Sequence, residues 1–480
     1  MTYLSVVLVY LFALIAIGIV KSRKIHTQSD FALAGRALTP WVLVGTMLAS
    51  WIGTGSILGN AGKTYETGMA ALMLPIGSIL GIILLTRIAG KVRSYEKYTV
   101  PEIIGDRYGP VARNLSVFAL VMAYMVIVSY QYNAGGAVLY TILADNTGTS
   151  IINIELATII AAVFIIAYTM LAGLLSVAYT DAANSIIMTL ALIISLPILW
   201  IKAGSWSGME TAFAAMNKSQ HMQFGGVYSA MDIINFCLPP FLLVIGDANM
   251  YQRFSASKDV QSARYSTTIL VFAVLFIELL IIVSAWVSSS MIPEAEVGKH
   301  VLIYAAHQFL PTFLGAIMLT TIVGIIISTA DSFLLVPANT LIRDIYLNYI
   351  NPQASEKNIV RLSRLLVLLL GIIAYIVSIG FSRSAGFFER ALYAYTIYGA
   401  AITPTLVAAL FWRGATKEGA VASIICGTLV TLFWKELPGL WFWLPTEWYI
   451  SLDEVLPAIS CSLLALICVS YLTQKADPGK

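Results

Sequence analysis

Residues 41–62 read WVLVGTMLASWIGTGSILGNAG, and residues 231–251 read MDIINFCLPPFLLVIGDANMY. Both are long and apolar enough to cross a bilayer core about 30 Å thick as a helix. Each also carries residues that interrupt a helix at mid-depth. In the first these are Gly53-Thr54-Gly55; in the second, Pro239-Pro240 and then Gly246-Asp247. A break there frees backbone carbonyls and amides, which a membrane tolerates only where they are buried in protein or line a cavity. The plain alternative is that Gly55 and Gly59 serve close helix packing and that the prolines only kink. The spacing of the two breaks along the chain argues for the first reading.

That spacing emerges from the rest of the sequence. The chain has 480 residues, of which 59% are hydrophobic and 11% charged, with a mean hydropathy of +0.84. Soluble proteins carry about 25% charged residues. Long apolar runs without alternation indicate membrane helices and exclude a barrel. Thirteen candidate spans follow: 3–21, 41–62, 68–90, 114–143, 151–171, 174–201, 231–251, 267–291, 312–341, 359–381, 386–412, 418–434 and 453–473. The first is not read as a cleaved signal, because no basic region precedes it and Lys21-Ser22-Arg23-Lys24 follows it. With the N-terminus outside and the C-terminus in the cytoplasm, Lys and Arg number 20 on the inside and 7 on the outside, with Arg87 near a span end. The breaks then fall in the second and seventh spans. They are five spans apart, so 41–201 and 231–412 form two five-helix halves of opposite orientation. Paired interruptions in inverted halves point to a transporter binding site at the membrane midplane.

A second signal lies at 321–345, TIVGIIISTADSFLLVPANTLIRDI. Polar residues this deep in an apolar run are costly. On a helix Ile325, Ser328, Thr329 and Ser332 share one face. Two adjacent hydroxyls beside a freed carbonyl make an oxygen cage suited to a hard cation. Hydroxyls that merely bond back to the preceding turn are the alternative, but back-bonding cannot hide the Asp331 carboxylate. Asp181 in the sixth span and Asp247 in the seventh are the other costly carboxylates. The band Tyr130-Gln131-Tyr132-Asn133 and the tyrosines 393, 395 and 398 are cheaper, and Asn133 and Glu278 read as interhelical hydrogen-bond partners. The four cysteines form no CxxC pair, the four histidines have no ligand spacing, and there is no P-loop or HExxH pattern. The Gly53–Gly59 glycines echo a dinucleotide turn but follow no strand. Neither an enzyme nor a nucleic-acid partner is suggested.

Four stretches together resemble the sodium:solute symporter family. They are GRALTPWVLVGTMLASWIG at 35–53, LAGLLSVAYTDAANS at 171–185, MYQRFSASKD at 250–259 and GIIISTADSFLL at 324–335. The resemblance spans nearly the whole chain. It implies an all-α membrane protein of thirteen transmembrane helices. Its LeuT-like 5+5 inverted-repeat core has one extra helix before it and two after it. It also implies a sodium ion held by the carbonyls of Ala49, Ile52 and Ile325 and the hydroxyls of Ser328 and Thr329. Asp181 matches an aspartate linked to sodium handling, so Asp181, Asp331 and Ser332 mark a second ion site or an ion path. Asp331 stands where two-ion members use serine, which leaves the sodium count open.

By the same resemblance the solute sits at the two breaks, near Trp51, Gly53, Ser56, Gly246 and Asp247, flanked by Gln131, Asn133, Tyr395 and Tyr398. The ASWIG stretch resembles ATWVG of choline transporters, where aromatic rings hold a quaternary ammonium. Other members carry sugars, sialic acid, proline, pantothenate or short carboxylates. The expectation is a monomeric, multi-pass, plasma-membrane symporter that imports an amine, a quaternary amine such as choline, or an amino-acid-like solute with Na+. Sodium-coupled uptake of a sugar or carboxylate is the alternative. A solute sensor is a further one, disfavoured because seven residues follow the last span. A passive channel is disfavoured by an ion site between broken helices.

Overall fold

The computed structural model describes residues 2–22, 25–144, 150–294, 298, 300–381, 386–434, 449 and 451–474. Arg23, Lys24, Lys299, Arg383, Lys435 and the tail from 475, all used in the charge count, lie outside the described residues.

Helix covers each of the thirteen expected segments. Eight helices are long and apolar enough to cross a membrane, and a ninth arises if the bent pair at the first break is taken as one span. One of the eight, Ile154–Lys202, has 49 residues. At about 1.5 Å per residue that is far longer than one bilayer crossing. It turns at Gly173, where φ is 58° and ψ is 171°, joining the fifth and sixth spans through one residue. Glycine adopts that conformation without the Cβ clash. A Cβ there would also lie 2.8 Å from Ile25 Cδ1 and 3.0 Å from Phe31 Cδ2, in and beside the short helix Gln28–Leu33.

The second span is broken as its sequence predicts. Pro40 stands at the start of the helix Pro40–Trp51, where its missing N–H costs nothing. The amide of Ile52 closes that helix on Leu48, and Ile52 then leaves it with ψ 89°. The amides of Ser56 and Ile57 both turn back to the Gly53 carbonyl, 3.1 and 3.0 Å away, and start the next segment. Its first turns, Gly55–Asn60, are wider than an α-helix, and the two halves meet at 51°. The seventh span breaks at Asp247, with φ −59° and ψ 113°, between Ala230–Gly246 and Ala248–Ala256. Pro239 and Pro240 sit inside the first of these helices; they are not the break.

The two broken spans run antiparallel. Leu38, just before the second span, pairs with the chain just after the seventh: its amide donates to Ala256 and its carbonyl accepts from Lys258. The start of one break-bearing span thus lies beside the end of the other. The ninth span is enclosed on all sides, every residue from Gly324 to Thr340 being buried. A helix buried all round belongs at the centre of its bundle. It packs against the second, fourth, fifth and sixth spans, so its polar residues have polar partners available on several sides.

Candidate functional site

The polar residues of the ninth span fan out to different neighbours. At about 100° per residue, Asp331, Ser328, Ser332 and Thr329 follow one another around an arc of about 160°. Asp331 accepts a hydrogen bond from Thr169 of the fifth span. Ser328 donates to Asp181 of the sixth span at 2.5 Å. Ser332 meets Ser50 at 3.3 Å and accepts from the Arg253 guanidinium at 2.7 Å. Thr329 donates to the Ala49 carbonyl at 3.2 Å.

The first break therefore lies against Thr329. A Cβ on Gly53 would stand 2.9 Å from both Cγ2 and Oγ1 of Thr329, so the break approaches the ninth span as closely as a bare backbone allows. Ala49, Gly53, Ser328, Thr329 and Asp181 come together here, and Ile52 and Ile325 are buried alongside. Asp331 turns away to Thr169, so of the three residues marked for a second ion only Asp181 and Ser332 face the break-side network.

Two partners in that network are not among the residues singled out from the sequence. Thr46 donates to Asp181 at 2.6 Å. Arg253, counted among the cytoplasmic loop charges, is fully buried. Its Nε donates to Thr46 at 3.0 Å, and its guanidinium lies 3.5 Å from the Asp181 carboxylate. An arginine is held there because its charge is paired and its donors have acceptors, including the Asn249 carbonyl. The signal available was a lone arginine six residues past the Asp247 break, inside MYQRFSASKD.

The solute candidates divide into three places. Trp51, Ser56 and Tyr395 border a cavity of ≈ 40 Å³ beside the first break, and Glu278 and Asn60 border it too. The Trp51 and Tyr395 rings stack with centroids 6.3 Å apart. Gly55 leaves room for the Tyr395 hydroxyl, which would lie 2.8 Å from a Cβ there. Gln131 accepts from Thr54, and among the described residues its buried Nε2 has no hydrogen-bond partner. Asn133 instead lines a larger cavity of ≈ 950 Å³, on the same face of the protein as Lys63.

Gly246, Asp247 and Tyr398 form the second break itself. Asp247 accepts the Tyr124 hydroxyl at 2.5 Å and caps the next helix through the Asn249 amide at 3.1 Å. Tyr398 donates to the freed Gly246 carbonyl at 2.8 Å and stacks on Tyr124. Gly246 also lets Thr403 of the same helix as Tyr398 approach, since a Cβ there would meet the Thr403 hydroxyl at 2.3 Å. Asp247 and Tyr398 are thus spent on holding the break, while Tyr395, one turn earlier, faces the cavity.

This geometry has relatives. A sodium/proline symporter of Haemophilus influenzae is 26% identical over 98% of this chain and 94% of its own. A high-affinity proline transporter of Bacillus subtilis is 25% identical over 96% of each. A Na+-coupled sialic acid symporter of known structure shares the fold, with a TM-score of 0.82 over 99% of each chain at 14% identity. The model of the sodium:solute symporter family matches residues 31–427. The chain is a LeuT-like membrane transporter belonging to the sodium:solute symporter family, and its coupling ion is sodium.

Proposed function

We propose that this protein imports a zwitterionic amino-acid-like solute, of which proline is the type, with sodium bound between the second and ninth spans. The observation that carries the ion site is the meeting of the Gly53 break with Thr329, where a freed Ala49 carbonyl and the Thr329 hydroxyl lie 3.2 Å apart. The site has the carbonyls of Ala49, Ile52 and Ile325 and the hydroxyls of Ser328 and Thr329 as ligands. Oxygen ligands without a full charge suit a hard monovalent cation. Asp181, buried and hydrogen-bonded to Ser328, supplies negative charge one shell out.

The solute occupies the cavity bordered by Trp51 and Tyr395. The proline-carrying relatives support the amino-acid-like arm of the expectation over choline. Trp51 and Tyr395 supply a flat apolar wall for an aliphatic ring.

Alternating access follows from rocking of the halves 41–201 and 231–412 about the two breaks, in a monomer of the plasma membrane with its N-terminus outside. Each sodium moved down 100 mV supplies about 2.3 kcal/mol, roughly a fifty-fold solute gradient at about 1.4 kcal/mol per decade.

The test is uptake of labelled proline into proteoliposomes. Accumulation under an inward sodium gradient, absent with potassium or with a proton gradient alone, is the expected result. Accumulation that survives collapse of the sodium gradient would contradict the coupling.

A further inference from the structure

Glu278 is a carboxylate midway along the helix Val260–Ser289, and it is 2% exposed. It accepts hydrogen bonds from Ser56 at 2.6 Å and Asn60 at 3.0 Å. The sequence reads it as an interhelical hydrogen-bond partner, and these two bonds fit that reading. They do not offset the charge: each carboxylate oxygen accepts from a neutral donor, one from a hydroxyl and one from an amide. Among the described residues no lysine, arginine or histidine forms an ion pair with it. A carboxylate at this depth without a cation is costly.

The position of the group suggests what offsets that cost. Glu278 lines the same cavity as Trp51 and Tyr395. That cavity therefore has an aromatic wall and an anionic pole, with no basic side chain on its lining. Such a lining suits an apolar body bearing a positively charged nitrogen.

We propose that Glu278 is the specificity determinant for the solute's cationic nitrogen, which it accepts directly. This deepens the reading of the Trp51 cavity as the solute site and rests on it. Both hydrogen-bond donors to Glu278 lie on Gly55–Asn60, the wide-turned segment directly after the Gly53 break. A nitrogen arriving at the carboxylate competes with Ser56 and Asn60, so occupancy of the solute site is felt by the outer half of the broken span. Solute and sodium thus act on the two halves of one interrupted helix.

The experiment uses matched solute pairs that differ in the nitrogen. Thermal stabilisation of the purified full-length protein in sodium is measured with L-proline against tetrahydrofuran-2-carboxylate, and with choline against 3,3-dimethylbutan-1-ol. Wild type, Glu278→Gln and Glu278→Asp are compared, and stabilisation by sodium alone reports that each variant is folded. The wild type should prefer the nitrogen-bearing member of a pair. Glu278→Gln should bind that member about ten-fold or more weakly, equivalent to about 1.4 kcal/mol, and lose the preference. Glu278→Asp should keep the preference with reduced affinity, and it carries the test if the glutamine variant does not fold.

Loss of choline binding in Glu278→Gln, with proline ignored by the wild type, would refute the amino-acid reading and leave Glu278 standing. Proline binding unchanged in Glu278→Gln would overturn the role of Glu278 and leave that reading intact. A wild type that stabilises with neither nitrogen-bearing solute, or a variant that weakens both members of a pair equally, would overturn the proposal.

Discussion

Gly53→Ala tests the ion site through the backbone and leaves every proposed ligand oxygen in the chain. Gly53 is not among the glycines with positive φ, so an alanine there suffers no left-handed strain and its effect is one of space. The added Cβ would lie 2.9 Å from Cγ2 and Oγ1 of Thr329. Carbon atoms rest at about 3.5–4.0 Å, so the threonine must retreat by roughly 0.6 Å or more. The hydroxyl now stands 3.2 Å from the Ala49 carbonyl, and a retreat of that size takes it out of hydrogen-bonding range. Overpacking of this kind costs about 1–3 kcal/mol. If the cost falls on the ion-binding geometry, half-saturation by sodium rises roughly five-fold to a hundred-fold at about 1.4 kcal/mol per decade. The assay is initial proline uptake against sodium concentration, with sodium-dependent melting temperature as a solute-free readout. Adding Thr329→Ser removes Cγ2 and keeps the oxygen, so the double variant should recover part of the loss, a coupling of about 0.5–3 kcal/mol. A wild-type sodium response in Gly53→Ala, or a double variant worse than the two single effects combined, would refute the reasoning.

The hydroxyls proposed as ligands can be removed directly. Thr329→Val keeps the shape and loses the oxygen and should be severe, Thr329→Ser should be mild, and Ser328→Ala should match the valine; uptake against sodium concentration for the three decides it, and back-bonding hydroxyls would leave all three curves alike. Arg253→Met should lower the melting temperature by the equivalent of about 3–5 kcal/mol, because it strands the buried Asp181 charge. Adding Asp181→Asn should restore part of that stability but not the sodium response, and a melting temperature unchanged in Arg253→Met would show that the pair contributes nothing.

The first break was legible because Gly53-Thr54-Gly55 has no other economical use inside an apolar run, and the structure interrupts the helix there. In the seventh span the sequence offered two interruptions close together. The chain breaks at Asp247 and not at Pro239-Pro240, whose neighbourhood stays helical. The polar face of the ninth span was legible from the helical spacing of Ser328 and Thr329. The separate destination of each polar side chain was not, since spacing along one helix says nothing of which neighbour stands opposite. Asp331 shows this: its partner Thr169 lies in the fifth span. Arg253 was misplaced for a related reason. Near a span end, composition cannot tell a buried arginine from a solvated one, and its burial depends on Asp181 far away in sequence.

The one-residue turn at Gly173 constrains how the first half can move. A loop between two helices would let them slide past each other along the membrane normal. A single residue, held at positive φ and covered by Ile25 and Phe31, leaves no slack for such sliding. The fifth and sixth spans are then an elbow whose arms can only open or close, and the helix Gln28–Leu33 rides on its outside. Asp331 and Ser328 of the ninth span contact different arms of the elbow, through Thr169 of the fifth span and Asp181 of the sixth. The ninth span is fastened to both, so the elbow's angle and the placement of the ninth span depend on each other.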